Sequence, residues 1–342
     1  MENRKKIRVL IVDDSMMFRE VIRRGISSVP FIEVVALAGD PFDARDKILK
    51  FHPDVITCDV EMPRMNGIEF VRRLLPQYPV PIVMVSAVSN IVFEAMEAGA
   101  IDFVVKPVVQ SPKSVEEFIF DLIQKIMTAS TVKLASLRKE NAAIKVPGNM
   151  VHGSDNIIAI GASTGGTEAI HSILRSLSPT IPGIVITQHI PPVFSRMFAE
   201  RLNTQTSLQV KEAETGDYVD QGTVLIAPGD RHMRIKKVGR RYQVECFHGD
   251  KVNGHCPSVD VLFESVAREA CGIAVGILLT GMGYDGAKGL LAMRCKGNRT
   301  IGQDEASSIV YGMPKVAFDL GAVEIQAALG NIPQVLLDLI GR

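Results

Sequence analysis

The sequence predicts an α/β protein built as two consecutive doubly wound parallel sheets, and three observations carry that expectation. Uninterrupted Val/Ile/Leu runs alternate with stretches of helical spacing, the pattern of strands buried on both faces by covering helices. Several runs end in residues able to do chemistry, and parallel sheets gather their sites at the carboxyl ends of strands. The 342 residues exceed one ordinary domain, at roughly 100–200 residues per domain. The expected organisation is a first domain at 5–127, a linker at 128–154 and a second domain at 155–342.

In chain order, Ile7 to Val12 is a buried-strand run that ends in Asp13-Asp14-Ser15. Helical stretches follow at Met17 to Val29 and Phe42 to Phe51, then a strand from Asp54 to Cys58 ending in Asp59, and a helix from Gly67 to Leu75. Pro81 to Val85 ends in Ser86, and Ile101 to Val105 ends in Lys106-Pro107. A last helix begins near Ser114, with Glu116 and Glu117 in its first turn, where the positive end of the helix dipole favours acid. Two strand ends therefore converge Asp13, Asp14 and Asp59. Such a cluster is costly without a cation, and an all-oxygen set suits a hard ion such as Mg²⁺. With the Ser86 hydroxyl and the Lys106 ammonium, the set has what an aspartyl-phosphate needs: a nucleophile, charge neutralisation and donors for phosphoryl oxygens. The plainer alternative is an acidic turn beside a solvated lysine.

From Met127 to Asp155 the apolar pattern thins, and Lys133, Arg138, Lys139, Glu140, Lys145, Pro147 and Gly148 give the stretch a linker's composition; Thr131 to Ile144 is a candidate extension of the preceding helix. The alternation then resumes. Ile157 to Ile160 runs into Gly161-Ala162-Ser163-Thr164-Gly165, whose small residues allow a sharp turn and an exposed hydroxyl. The helix expected from Gly166 to Leu177 opens beside Ser163, and its N-terminus favours an oxyanion. Gly183 to Gln188 is a strand that ends on His189, before Pro191 and Pro192. Ala274 to Leu279 breaks into a glycine-rich loop that carries Asp285.

Three strands thus deliver Ser163, His189 and Asp285, the constellation of a serine hydrolase. Serine is a poor nucleophile at neutral pH, so His189 takes its proton while Asp285 orients the imidazole. The order Ser, His, Asp is not that of α/β-hydrolases, although geometry rather than order defines a triad. His232, in the loop after the strand Val224 to Ile226, is a second candidate for the base. Cys256, in His255-Cys256-Pro257-Ser258, has no glycine-rich loop around it to hold an oxyanion.

Composition sets limits. The formal net charge is zero, which gives no footprint for nucleic acid or anionic lipid. The apolar run after the basic start is too short for a signal sequence, and no apolar stretch approaches the ~20 residues that span a bilayer. A cytoplasmic protein without membrane insertion is expected. The five cysteines are scattered, with no paired spacing, and read as small core residues.

Val12-Asp13-Asp14-Ser15, Asp59-x-x-Met62-Pro63-x-x-Asn66-Gly67, Ser86-Ala87 and Lys106-Pro107 resemble the response-regulator receiver domain, a flavodoxin-like fold. Gly161 to Gly166, Gln188-His189-Ile190-Pro191, Ala227 to His232, Thr280-Gly281-Met282-Gly283-x-Asp285-Gly286 and Val310-Tyr311-Gly312-Met313-Pro314 resemble the chemotaxis protein-glutamate methylesterase family. Together these motifs reach across nearly the whole chain. The resemblance implies hydrolysis of γ-glutamyl methyl esters on methyl-accepting chemotaxis receptors, with release of methanol, and deamidation of certain receptor glutamines. It assigns Ser163 as nucleophile, His189 as base and Asp285 as orienter, with Thr164 and Met282 lining the oxyanion region. It also implies phosphorylation of Asp59 by a chemotaxis histidine kinase with Mg²⁺ held by Asp13, Asp14 and Asp59, phosphoryl stabilisation by Ser86 and Lys106, no cofactor for ester hydrolysis, and a monomer.

Two segments depart from the family pattern: Ala87 to Glu97 is a few residues short, and the linker aligns with nothing. Phe103 stands at the aromatic switch position of receivers and is equally an ordinary core residue. A transcriptional regulator would need a basic recognition helix after the first domain, where strands and helices alternate instead. A retired scaffold would have no use for the retained Ser163, His189 and Asp285.

Overall fold

The computed structural model describes residues 6–87, 92–107, 112–132 and 155–341, and the chain divides into two compact units, residues 1–138 and 139–342. The first unit has strands β1 (Ile7–Val12), β2 (Ile32–Ala38), β3 (Val55–Asp59), β4 (Ile82–Ser86) and β5 (Asp102–Val105), alternating with helices α1 (Met16–Ser27), α2 (Pro41–Phe51), α3 (Gly67–Leu74), α4 (Val92–Glu97) and α5 (Pro112–Ala129). All pairings are parallel, in the order β2-β1-β3-β4-β5. The order reverses between β1 and β3, so their carboxyl ends flank the crevice where such sheets bind ligands.

Local chemistry starts these helices where the sequence says. Ser15 Oγ accepts from Phe18 N at 3.3 Å ahead of α1, Asp40 Oδ1 from Phe42 N and Asp43 N at 2.8 and 3.0 Å ahead of α2, and Asn66 Oδ1 from Glu69 N at 2.8 Å ahead of α3. Each side-chain oxygen satisfies a donor the first turn would leave unpaired. The apolar sides of these helices, with Ile22, Ile48 and Val71 among them, are buried. Helix α5 stops at Ala129 with Thr131 in a turn; the rest of the candidate extension, from 133, lies outside the described residues, as do 88–91 of the segment Ala87 to Glu97.

The second unit contains β6 (Ile157–Ala162), α6 (Gly166–Leu174), β7 (Gly183–Gln188), α7 (Phe194–Gln205), β8 (Gln209–Glu212), β9 (Thr223–Ile226), β10 (His232–Val238), β11 (Arg241–Phe247), α8 (Val259–Glu269), β12 (Ala274–Leu278), α9 (Ala287–Cys295), β13 (Arg299–Gln303), α10 (Met313–Asp319), β14 (Ile325–Ala327) and α11 (Ile332–Ile340). Seven strands form a parallel sheet in the order β14-β13-β12-β6-β7-β9-β8. Its order reverses between β6 and β12, the strands that lead to Ser163 and Asp285. Helix α6 ends at Leu174, short of the expected Leu177. There Ser176 N and Leu177 N reach only three residues back, at 3.1 Å each, the tightened last turn of a closing helix.

The expected strand-helix alternation misses the antiparallel hairpin of β10 and β11, paired from His232 with Phe247 to Val238 with Arg241. It packs on α8: Ser265 Oγ accepts from Ile235 N at 3.0 Å, and buried Tyr242 donates its hydroxyl to Asp155 O at 2.9 Å. Met233, Ile235, Tyr242 and Val244 join Phe263, Val266 and Leu278 in one core.

Strand β6 approaches α8 closely at Gly161. A Cβ on Gly161 would lie 2.2 Å from Val259 Cγ1, and a β-branched side chain at the start of a helix has no free rotamer to yield. Gly161→Ala should therefore push α8 away from the sheet, lowering stability by about 1–3 kcal/mol. Thermal or urea denaturation checks this, and an unchanged midpoint contradicts it.

Candidate active site

Sheet register brings Ser163 and His189 together. Ala162 pairs with Gln188, so each candidate is the first residue beyond neighbouring strands, and His189 N donates to Ala162 O at 3.1 Å. Ser163 N donates to Thr280 O at 3.0 Å, which ties the serine to the strand on its other side. Buried Gln188 clamps both turns, its Nε2 donating to Ser163 O at 2.9 Å and to His189 O at 3.2 Å. Thr280 Oγ1 donates to Thr164 O at 3.0 Å, and Thr280 N to Gln303 Oε1 at 2.8 Å. Ser163 is half-buried, Thr164 buried and Met282 38 % exposed. Met282 follows Gly281, at which any Cβ would stand 2.7 Å from Ser163 Cβ. Helix α6 begins three residues after Ser163, with Gly166 N donating to Ser163 O at 2.7 Å.

Asp285 is 1 % exposed, and five donors surround it. Oδ2 receives His189 Nε2–H at 2.8 Å and Val259 N–H at 2.7 Å; Oδ1 receives Ser258 Oγ–H at 2.7 Å, Asn253 Nδ2–H at 2.8 Å and Asp260 N–H at 3.3 Å. Ser258 precedes α8 yet makes no side-chain cap of its own; Asp285 takes the first-turn amides instead, at the positive end of the helix. Burial alone would raise this carboxyl, but His189 first, then Asn253 and Ser258, hold it well below the usual carboxylate range. Neighbouring Asp260 is pushed up by burial, against a bond from Gly289 N.

The imidazole of His189 therefore presents Nε2 to the carboxylate, whereas in the serine-protease arrangement Nδ1 faces the aspartate. Its Nδ1 is buried and, among the described residues, makes no hydrogen bond. The alternative base, His232, is fully engaged. Its Nδ1 accepts from Ser258 N at 3.2 Å and its Nε2 meets Asp250 O at 2.9 Å. An amide can only donate and a carbonyl only accept, so the ring is held as the neutral Nε2–H tautomer. His232 positions Ser258, which in turn bonds Asp285. Burial pushes the Cys256 thiol up, away from the thiolate a nucleophile needs.

Sequence reasoning missed Asn253, Ser258 and His255, whose ring stacks on His189 with centroids 3.7 Å apart. Signals existed. Asn253-Gly254 is a strong two-residue turn pair, and a serine before an apolar helical run with an acid in its first turn marks a helix start. Around the site Val193 and Tyr284 are 63 % and 51 % exposed. Val193 has φ 74°, a rare conformation for a β-branched residue.

In the first unit, one oxygen from each of Asp13, Asp14 and Asp59 lies within 4.8 Å of the others. Lys106 Nζ sits 2.6 Å from Asp59 Oδ2 and 2.7 Å from Asp13 Oδ2; the second contact is an ion pair without hydrogen-bond alignment. Burial pushes the Asp59 carboxyl up to about 6 against Lys106, and Asp13 adds to the rise. Ser86 ends β4 and is buried, and its carbonyl accepts from Lys106 N at 2.8 Å. Phe103 is buried on β5.

Comparison with known proteins finds a family for each of the two units. Residues 158–336 match the family model of the CheB methylesterase, and residues 9–117 that of the response regulator receiver domain. A protein-glutamate methylesterase/protein-glutamine glutaminase 2 of Syntrophomonas wolfei is 57 % identical over 338 residues, covering 99 % of each chain. One of the same activity name from Syntrophotalea carbinolica is 47 % identical, again over 99 % of each chain. The crystal structure of the Thermotoga maritima CheB methylesterase catalytic domain aligns with a TM-score of 0.52 at 36 % identity, covering 54 % of this chain and 98 % of that one. With its methylesterase domain matched from β6 to α11 and a receiver domain ahead of it, the chain belongs to the CheB methylesterase family.

Proposed function

We propose that Ser163, His189 and Asp285 hydrolyse γ-glutamyl methyl esters on methyl-accepting chemotaxis receptors, and the γ-amides of certain receptor glutamines, in the cytoplasm. The observation that carries this is the His189 imidazole, bound to Asp285 through Nε2, with an Nδ1 that makes no hydrogen bond among the described residues, one residue past a strand whose neighbour leads into Ser163. Nδ1 takes the Ser163 proton as Oγ attacks the ester carbonyl, and the imidazolium formed is stabilised by Asp285. Collapse of the tetrahedral intermediate breaks the bond to methoxide, which leaves as methanol with the proton from His189. Water, deprotonated by the same nitrogen, then attacks the acyl-serine, and collapse releases glutamate while His189 returns the proton to Ser163 Oγ; with glutamine the first leaving group is ammonia. The oxyanion lies by Thr164, Met282 and the N-terminus of α6.

Control comes from the receiver, which we assign to residues 5–127, joined by a linker at 128–154 to the esterase at 155–342. Asp59 is the phosphate acceptor and a chemotaxis histidine kinase the donor. The three clustered carboxylates fit a hard divalent cation: all donors are oxygens, and Asp13 and Asp59 are buried like charges. Asp13, Asp14 and Asp59 would hold Mg²⁺, which when bound supplies charge neutralisation to the phosphoryl oxygens. Lys106, already on Asp59, and Ser86 then bind those oxygens. Phe103 on β5 is the candidate relay. Among the described residues no helix is long and apolar enough to cross a membrane.

Ser163→Ala removes the nucleophile without opening a core cavity, and should cost on the order of a million-fold in methanol release from methylated receptor membranes. His189→Ala should behave alike and Asp285→Asn less severely; a Ser163→Ala chain retaining more than about 1 % of turnover is incompatible with a triad nucleophile.

Acetyl phosphate with Mg²⁺ should label the chain at Asp59 and raise its methanol release, and Asp59→Asn should show neither effect. Labelling that survives in Asp59→Asn or in chelator contradicts the site. A labelled chain no faster than the unlabelled one contradicts regulation through it.

A further inference from the structure

His255 has no assigned part in the chemistry, yet its ring lies face to face with that of His189, centroids 3.7 Å apart and planes 10° from parallel. That is van der Waals contact over the whole imidazole. It arises from a built feature. Val252 and His255 exchange both backbone hydrogen bonds, each at 3.0 Å, and the two residues between them, Asn253 and Gly254, have φ of 53° and 85°. Two consecutive positive φ values define the tight turn that Asn-Gly favours. The turn is anchored at its tip, where Asn253 Nδ2 donates to Asp285 Oδ1 at 2.8 Å and to Asp260 Oδ2 at 2.7 Å. One four-residue hairpin thus holds the carboxylate that receives His189 with one side chain and lays another flat on the His189 ring.

His189 needs such a support. A single hydrogen bond through Nε2 fixes one atom of the ring, while the torsion that sets the plane of an imidazole is broad. Among the described residues Nδ1 has no hydrogen-bond partner, so these hydrogen bonds leave the ring able to pivot about the Nε2 contact. A parallel plate against its face removes that freedom and fixes where the Nδ1 lone pair points. Resting on the reading of His189 as base, we propose that His255 is a positioning residue: it sets the plane of the His189 imidazole by stacking, so that Nδ1 faces the Ser163 hydroxyl. The property that matters is the flat face, not the titratable nitrogens. Phenylalanine should therefore replace it and ringless residues should not.

The test uses the full-length chain, activated with acetyl phosphate, and initial rates of methanol release over a range of methylated receptor concentrations. His255→Ala and His255→Gln should lower kcat by about ten- to a hundredfold, the scale of a misplaced catalytic group. KM should stay within about twofold, because the ring acts on the reacting proton rather than on substrate binding. His255→Phe should keep kcat within about threefold of the parent, since an aromatic pair survives. Full kcat in a ringless variant overturns the proposal, as does a folded His255→Phe chain as slow as the ringless ones, or an effect confined to KM. Should a ringless variant lose its thermal transition, the phenylalanine variant decides alone. His189→Ala is run alongside: if it stays active, the base assignment itself has failed; if it is dead while His255→Ala is fully active, only the stacking role has failed.

Discussion

The catalytic unit is organised around one buried anion. Asp285 lies at the end of a glycine-rich loop in a place where an unsatisfied charge would be prohibitive, and the fold answers with two helix-start amides, a serine hydroxyl, an asparagine amide and an imidazole N–H. Each donor comes with a piece of structure. The amides bring α8 against the sheet, Ser258 brings the His232 bond that seats the hairpin of β10 and β11, and Asn253 brings the turn bearing His255. Removing the carboxylate would leave several buried donors unpaired at once, a larger cost than any one of these bonds is worth.

The two candidate sites use the same residue type in opposite electrostatic settings. Asp285 is buried but fully hydrogen-bonded at a helix N-terminus, so it stays ionised and is a permanent partner for His189. Asp59 is buried beside Asp13 with one lysine between them, and its carboxyl rises to about 6. The first environment suits a group that must never change state. The second holds like charges close together, which a divalent cation can relieve. Environment rather than residue type separates the candidate orienter from the candidate acceptor, and both candidate sites fall where strand order reverses in a parallel sheet.

Much of this was legible in the sequence because parallel sheets write their chemistry at strand ends. The runs leading to Asp13, Asp59, Ser86, Lys106, Ser163 and His189 each announced both a strand and a candidate site residue at its end. What stayed hidden was of two kinds. The hairpin from His232 to Phe247 alternates polar and apolar residues on strands with only one face buried, a weaker signal than an unbroken apolar run, and it sits where the βαβ pattern predicts none. Asn253, His255 and Ser258 reach the candidate site through contacts with Asp285 and His189, some thirty and seventy residues away in the chain. His232 shows the limit most clearly. As a histidine in a loop after a strand it was a second candidate for the base, and the Ser258 amide on its Nδ1 gives it a structural place.

The central claim is that Asp285 holds His189 as the Nε2–H tautomer and leaves Nδ1 bare for the serine proton. Nitrogen-15 NMR of the imidazoles at neutral pH tests this most directly, with the His189 signals identified by their loss in a His189→Gln chain. The expected result is a protonated Nε2, coupled to a slowly exchanging hydrogen, and an unprotonated Nδ1. A proton on Nδ1 with a bare Nε2 would contradict it.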